Sequence, residues 1–292
     1  MTTLDRAMAA LSARLGLDEV HVLGTARLGG GCVAEALRVD TDQGAFFVKM
    51  HEGEGSMFSA EAAGLTALAE VGTRLVIPEV LAHADPAPGK PGFLVLEHLP
   101  AGDATDMAAF GHALAQLHQA TSGRGFGFEV DTYCGATRQP NRWCADWLAF
   151  YRDHRIGHQL QLLVDAGRFD ADDRKLTERL MGRLDERLAG PEEPPALIHG
   201  DLWSGNLMST TRGPALIDPS VAYAHREAEL GMMTLFGGFG ARAFSAYEEV
   251  YPLDPSWRER NPLYELYHVM NHATLFGGGY VEQALGIIRR YA

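Results

Sequence analysis

The apolar spacing of this chain changes once, near residue 99, and that change limits the possible folds more than any other feature. Residues 4–15 carry apolar side chains at helical spacing. Short β-type runs follow at 20–23, 33–39 and 45–50, with turns at Gly29, Gly30, Gly31 and at Asp42, Gln43, Gly44. Residues 57–71 fit a helix. Residues 80–83 and 93–96 fit two further strands, joined by the turn-rich segment 85–92. Beyond residue 99 the spacing is helical over 104–121, 143–166, 171–188, 227–235, 242–251, 262–276 and 281–291. The pattern predicts an α+β protein. A small antiparallel-sheet lobe spans residues 1–98, a hinge lies near 95–100, and a larger helical lobe spans 99–292. Ligands favour clefts between such lobes. The stretch 123–141 reads as a long irregular loop. Leu-Phe-Gly-Gly, at 235–238 and again at 275–278, reads as two glycine helix stops.

A chain of 292 residues can bury a large core. Its net charge of −13 speaks against nucleic acid or an anionic membrane as partner. A nucleotide needs only local positive charge, so that class stays open. No apolar run approaches the roughly 18 residues of a membrane helix, and residues 1–16 lack a signal-peptide core. Cys32, Cys134 and Cys144 are too few and too scattered for a disulfide framework or a zinc site. A cytoplasmic protein, monomer or homodimer, is the expectation.

Chemistry concentrates in His-Gly-Asp-Leu-Trp-Ser-Gly-Asn at 199–206, followed by Leu-Ile-Asp at 216–218. Phosphoryl transfer needs such a set. One carboxylate orients the attacking hydroxyl and accepts its proton, while an Asn and a second Asp hold magnesium on the nucleotide phosphates. Asp201 is the candidate base. Asn206 and Asp218 are the candidate metal ligands, because magnesium prefers oxygen donors. His199 reads as a brace of the loop. Trp203 reads as a flat wall for a sugar ring or as a core aromatic. The acidic residues of the helix opened by His225, Arg226 and Glu227 suit a helix N-terminus, and one of them is placed to hold the catalytic loop. Asn271 and His272, with the glycines 277–279, are candidates for the substrate side.

On the nucleotide side, Gly29, Gly30, Gly31 and Cys32 lie between two expected strands. Glycines there let backbone amides approach phosphates, and a plain hairpin fits the same residues. Lys49 ends a strand and Glu61 sits on the next helix. A Lys on that strand paired to a Glu on that helix is the kinase device for gripping the α- and β-phosphates. The segment 94–99, with Glu97 and Leu99, falls at the hinge, where backbone groups would meet adenine. Cys32 beside the glycines is a candidate redox-sensitive thiol or a small turn residue.

Together these motifs resemble fructosamine kinases, also called ketosamine-3-kinases, from about residue 15 to 291. The loop at 199–206, Gly-Gly-Gly-Cys at 29–32, Phe-Val-Lys at 47–49, Met-Phe-Ser-Ala-Glu-Ala at 57–62, Ile-Asp-Pro at 217–219, His-Arg-Glu at 225–227 and Leu-Phe-Gly-Gly-Gly-Tyr at 275–280 carry the resemblance. It implies a two-lobed protein-kinase-like fold related to aminoglycoside and choline kinases. It also implies ATP- and Mg2+-dependent phosphorylation of the 3-hydroxyl of a ketosamine, free or on a glycated protein, in deglycation repair. Asp201 then becomes the base, Asn206 and Asp218 the metal ligands, Lys49 with Glu61 the phosphate clamp, and Trp203 the sugar platform. Glu229 stands where the family pattern leads one to expect Asp. No long activation loop separates Asp218 from His225. A kinase of another amine of aminoglycoside or choline type, or a nucleotide-binding pseudokinase, remain the alternatives.

Overall fold

A computed structural model describes residues 1–29, 34–53 and 55–292. Contacts divide the chain into two compact units. The first is Met1–Thr105 with Met208–Ile217, and the second is Asp106–Leu207 with Asp218–Ala292.

In the first unit, helix α1 (Thr3–Leu15) starts in a capping box. Thr2 and Asp5 each accept the other's backbone amide, which satisfies two donors the helix leaves open. Strands β1 (Val22–Leu28), β2 (Glu35–Thr41) and β3 (Gly44–His51) lead to helix α2 (Met57–Glu70), then β4 (Val80–Ala84) and β5 (Gly92–Glu97). They form one antiparallel sheet in the order β1-β2-β3-β5-β4. Strand β5 reads as an unbroken apolar run because both its faces are covered. Phe93 and Val95 join the core under α1, while Leu94 and Leu96 join the core under α2. Strand β1, expected over 20–23, runs on to Leu28 as an exposed edge. Position 33 of the expected second strand lies outside the described residues, as do Gly30, Gly31 and Cys32.

The second unit opens with α3 (Met107–His118), N-capped by Asp106. The segment expected as an irregular loop carries a hairpin, β6 (Thr132–Cys134) with β7 (Thr137–Gln139). Its Thr132, Thr137 and Gln139 side chains are buried, which a reading based on apolar spacing cannot detect. Gln139 Nε2 donates to Thr132 Oγ1 and to the Ser220 carbonyl. The helix expected over 143–166 is interrupted. Helix α4 (Trp147–Tyr151) and α5 (Gly157–Asp165) flank a π-helical turn, Arg152–Ile156. That turn carries Arg155 inward, where it donates to the Pro140 carbonyl and to Asn141 Oδ1, each at 2.7 Å. Helices α6 (Ala171–Met181) and α7 (Leu184–Arg187) and strand β8 (Ala196–Ile198) follow.

Strands β9 (Leu207–Thr210) and β10 (Gly213–Leu216) form a hairpin, most of which belongs to the first unit. Val76 and Gly102 donate to the Pro214 and Ser209 carbonyls. Strand β11 (Ala222–Ala224) pairs with β8. Helices α8 (Glu227–Leu235), α9 (Gly240–Val250), α10 (Trp257–Phe276) and α11 (Gly279–Tyr291) complete the unit. Leu263, Leu266, Val269 and Met270 make α10 its central helix. The sequence reading started α10 at Pro262, but the helix begins at Trp257 and carries the proline inside. Among the described residues, no helix is long and apolar enough to cross a membrane.

Candidate active site

Pairing of β8 with β11 sets the central loop. Ala222 lies opposite Ile198, so the residues after β8 run beside those before β11, and Ser220 donates its amide to the His199 carbonyl at 2.8 Å. The approach is close enough that a methyl on Gly200, at φ +82°, would fall on the Ser220 carbonyl. Asp218 holds φ +56°, the one left-handed non-glycine residue among those described. Asp tolerates that region better than most residues, and such strain gathers at functional sites.

Glu229, fully buried on α8, reaches back to this loop. Its two carboxylate oxygens accept the amides of His199 at 2.5 Å and Gly200 at 3.0 Å. The expected acidic support is therefore Glu229, and its longer side chain spans both amides. His199 is fully buried, and its Nδ1 accepts the Asp201 amide at 3.4 Å. Asn206 ends a 3-10 turn, Ser204–Asn206. Its Nδ2 donates to the Asp201 carbonyl at 2.8 Å, so Oδ1 is the atom that could ligate a metal. Asp201, Asn206 and Asp218 thus form one oxygen-rich group, a donor set that fits magnesium. Burial first, and the neighbouring Asp218 carboxylate second, push the Asp201 carboxyl up to about 8, while the Cys134 thiol and Asn206 act in the opposite direction.

Trp203 projects from the loop with 40% of its surface exposed, so it is no core aromatic. Gly205 lies against its indole, and a methyl there would fall inside the ring. His272 is engaged on its own helix and by neighbouring rings. Its Nδ1 donates to the His268 carbonyl at 2.8 Å, and its ring packs on Phe236, Phe276 and Tyr280.

Beneath Asp201 lie residues that the sequence did not single out. Cys134 of β6 and His268 of α10 each bring a ligating atom within 4.8 Å of an Asp201 carboxylate oxygen. Tyr267 donates its hydroxyl to Gln139 Oε1 at 2.5 Å. Arg155 is buried over the Phe150 ring, and burial pushes it down to about 10. The only sequence signal for this layer was Cys134, a lone thiol inside a segment with no apolar period.

The first unit holds the other predicted pair. Lys49 Nζ of β3 lies 2.7 Å from Glu61 Oε1 of α2, with both side chains nearly buried. Helix α2 is anchored there by Asp85, whose carboxylate accepts the amides of Phe58 and Ser59. Glu97 is engaged locally. Its amide donates to Glu79 and its carboxylate pairs with Arg212 at 2.9 Å. Leu99 is buried, and Gly29 is exposed just past β1. The assignments made for Gly30, Gly31 and Cys32 lie outside the described residues.

The family described as fructosamine kinase matches residues 4–292. A rice (Oryza sativa subsp. indica) chloroplastic protein-ribulosamine 3-kinase is 41% identical over 279 residues, covering 92% of this chain and 79% of the relative. The crystal structure of a candidate fructosamine-3-kinase from Thermobifida fusca superposes with a TM-score of 0.85. It is 33% identical and covers 98% of each chain. The aminoglycoside phosphotransferase APH(4)-Ia shares the fold, with a TM-score of 0.65 at 15% identity over 99% of both chains.

Proposed function

The chain belongs to the fructosamine kinase family, and we propose that it transfers the γ-phosphoryl group of ATP to the 3-hydroxyl of a ketosamine, free or protein-bound. The loop at 199–206 carries this reading. Glu229 fixes its backbone, Asn206 fixes the carbonyl of Asp201, and an exposed indole stands between Asp201 and Asn206 in sequence.

In this reading Asp201 accepts the proton of the attacking hydroxyl, which is otherwise a poor nucleophile. Trp203 offers its face to the sugar ring. Asn206 through Oδ1 and Asp218 through its carboxylate would hold magnesium. Bound there, magnesium would neutralise the nucleotide phosphates and would offset the Asp218 charge, which after burial is the second cause of the raised Asp201. Lys49, steadied by Glu61, grips the α- and β-phosphates. The backbone at His98 and Leu99 serves adenine, since the Glu97 amide already has a partner. The residues 1–98 and 99–292 act as nucleotide-binding and catalytic lobes, and Gly29, Gly30, Gly31 and Cys32 are assigned to binding ATP. His272 is the second substrate-side residue of this reading.

The test is ATP consumption by the purified protein with magnesium, offered ribulose-lysine, fructose-lysine, choline and kanamycin in parallel, with Asp201→Asn as the blank. Turnover confined to a ketosamine is expected, and the sugars are ranked by it. Turnover only with choline or kanamycin would overturn the substrate. Bound ATP without turnover on any of them would leave a pseudokinase.

A further inference from the structure

The layer beneath Asp201 is more than packing. Cys134 Sγ, a ring nitrogen of His268 and a carboxylate oxygen of Asp201 lie within 4.8 Å of one another. They come from a hairpin, a long helix and the catalytic loop, three elements far apart in sequence. His268 is 4% exposed, and its Nδ1 is buried with no hydrogen-bond partner among the described residues. An unpartnered buried nitrogen is costly and calls for an occupant. Cys134 is a free thiol, 2% exposed.

We propose that Cys134, Asp201 and His268 form a three-ligand site for zinc, distinct from the magnesium ligands Asn206 and Asp218, and that zinc bound there blocks the enzyme by occupying Asp201. The donor set decides the ion. Magnesium takes oxygen ligands, whereas one sulfur, one nitrogen and one oxygen suit a tetrahedral zinc whose fourth position is left to water. Burial already keeps His268 neutral, the form that ligates, by pushing it down to about 3. The carboxylates of Asp218 and Glu229, both felt at Asp201, favour a cation. Burial first, and the Asp201 carboxyl second, push the Cys134 thiol up, and Arg155 acts in the opposite direction, so the cation itself must draw the thiolate out. On binding at neutral pH, the Cys134 S–H bond and the Asp201 O–H bond both break, the two protons leave to solvent, and a lone pair of the sulfur and one of the carboxylate oxygen form the bonds to zinc. No oxidation state changes. Inhibition rests on Asp201 being the base, but binding does not.

Cobalt(II) reports the site without turnover, because a thiolate ligand gives it a charge-transfer band in the near ultraviolet. The chain has three cysteines. The double variant Cys32→Ser, Cys144→Ser, with Cys134 its only thiol, is expected to keep the band, and zinc is expected to abolish it by displacement. Cys134→Val, whose fold is checked by its melting curve, is expected to lose the band. His268→Asn is expected to weaken cobalt by about tenfold or more, as loss of a metal partner does. In the kinase assay at saturating magnesium, zinc is expected to inhibit the wild type and Cys144→Ser. The inhibition constant of folded Cys134→Val should rise by about tenfold or more relative to its own zinc-free rate. A band or inhibition unchanged in Cys134→Val would overturn the site. A band in the wild type without inhibition would overturn the block. If no ketosamine is turned over, the cobalt result still stands by itself.

Discussion

Glu229 accepts the Gly200 amide at 3.0 Å from a helix 29 positions further along the chain, and its second oxygen takes the His199 amide. The loop that carries Asp201 is thus held from outside itself. Glu229→Gln keeps the size but turns a donor toward one of two buried amides. Leaving such a group unsatisfied costs about 1–3 kcal/mol. The variant is expected to unfold at lower urea by that amount and to lose turnover with the Michaelis constant for ATP unchanged. Glu229→Asp is expected to reach one amide and fall between the two. An ATP constant that rises in step with the loss of turnover would count against a purely positioning role.

The indole of Trp203 rests where a methyl on Gly205 would have to go. Gly205→Ala must therefore push the ring aside without removing it. Ring stacking contributes about 0.5–1.5 kcal/mol, so both Gly205→Ala and Trp203→Ala are expected to raise the ketosamine Michaelis constant about two- to tenfold. The ATP constant should move little. Steady-state kinetics in each substrate checks this, and an unchanged sugar constant in both variants removes Trp203 from the substrate site.

Lys49 and Glu61 show why part of the site was legible in the sequence. Each lies on an element with a clear period, β3 and α2, and the two meet at 2.7 Å. Asp201, Asn206 and Asp218 were legible for another reason. A fixed spacing on one short loop survives any uncertainty about the elements around it. Arg155 and His268 were not legible, because nothing local marks them, and Cys134 stood out only as one of three scattered thiols. A three-residue strand with polar side chains turned inward carries no apolar alternation, and a π-helical turn inserts its extra residue into an otherwise helical pattern. The sheet was legible in β5, whose run of apolar residues matches burial on both faces. The start of α10 was not, since Pro262 marks a first turn by rule and here sits deeper.

His268 is held neutral by burial, by His272 and by Arg155, and its folded value falls from 6.5 to about 3. His225 is lowered too, chiefly by burial. Between about 3 and 6.5 the unfolded chain binds a proton at His268 that the native chain does not. Stability is therefore fully present above 6.5 and is lost as pH falls, at about 1.4 kcal/mol per unit for one proton. Asp201, raised to about 8, has the opposite slope between 3.8 and 8. The difference between wild type and His268→Asn isolates the histidine. Urea unfolding from pH 7 to 5 is expected to show the wild type losing more stability than the variant. Parallel curves would contradict a neutral buried His268.

Two helical glycines are expected to respond with opposite sign to the same change. Gly111 of α3 faces α9 so closely that a methyl would fall on the Ala243 carbonyl, a backbone atom that cannot swing away. Helix α9 also carries Tyr247, whose hydroxyl bonds His118 Nδ1 at 2.8 Å, and the other ring nitrogen of His118 lies 3.7 Å from Glu229. Overpacking of this kind costs about 1–3 kcal/mol. Gly286 of α11 meets nothing within 4 Å and is exposed, so alanine there gains only helix propensity, roughly 0.5–1 kcal/mol. Gly111→Ala is expected to lower the melting temperature and, by shifting α9 and His118 against Glu229, to lower turnover as well. Gly286→Ala is expected to raise the melting temperature and leave turnover alone. Thermal unfolding of both variants with one activity assay each decides it. A Gly111→Ala protein as stable and active as wild type would mean that α3 and α9 are not packed backbone to backbone.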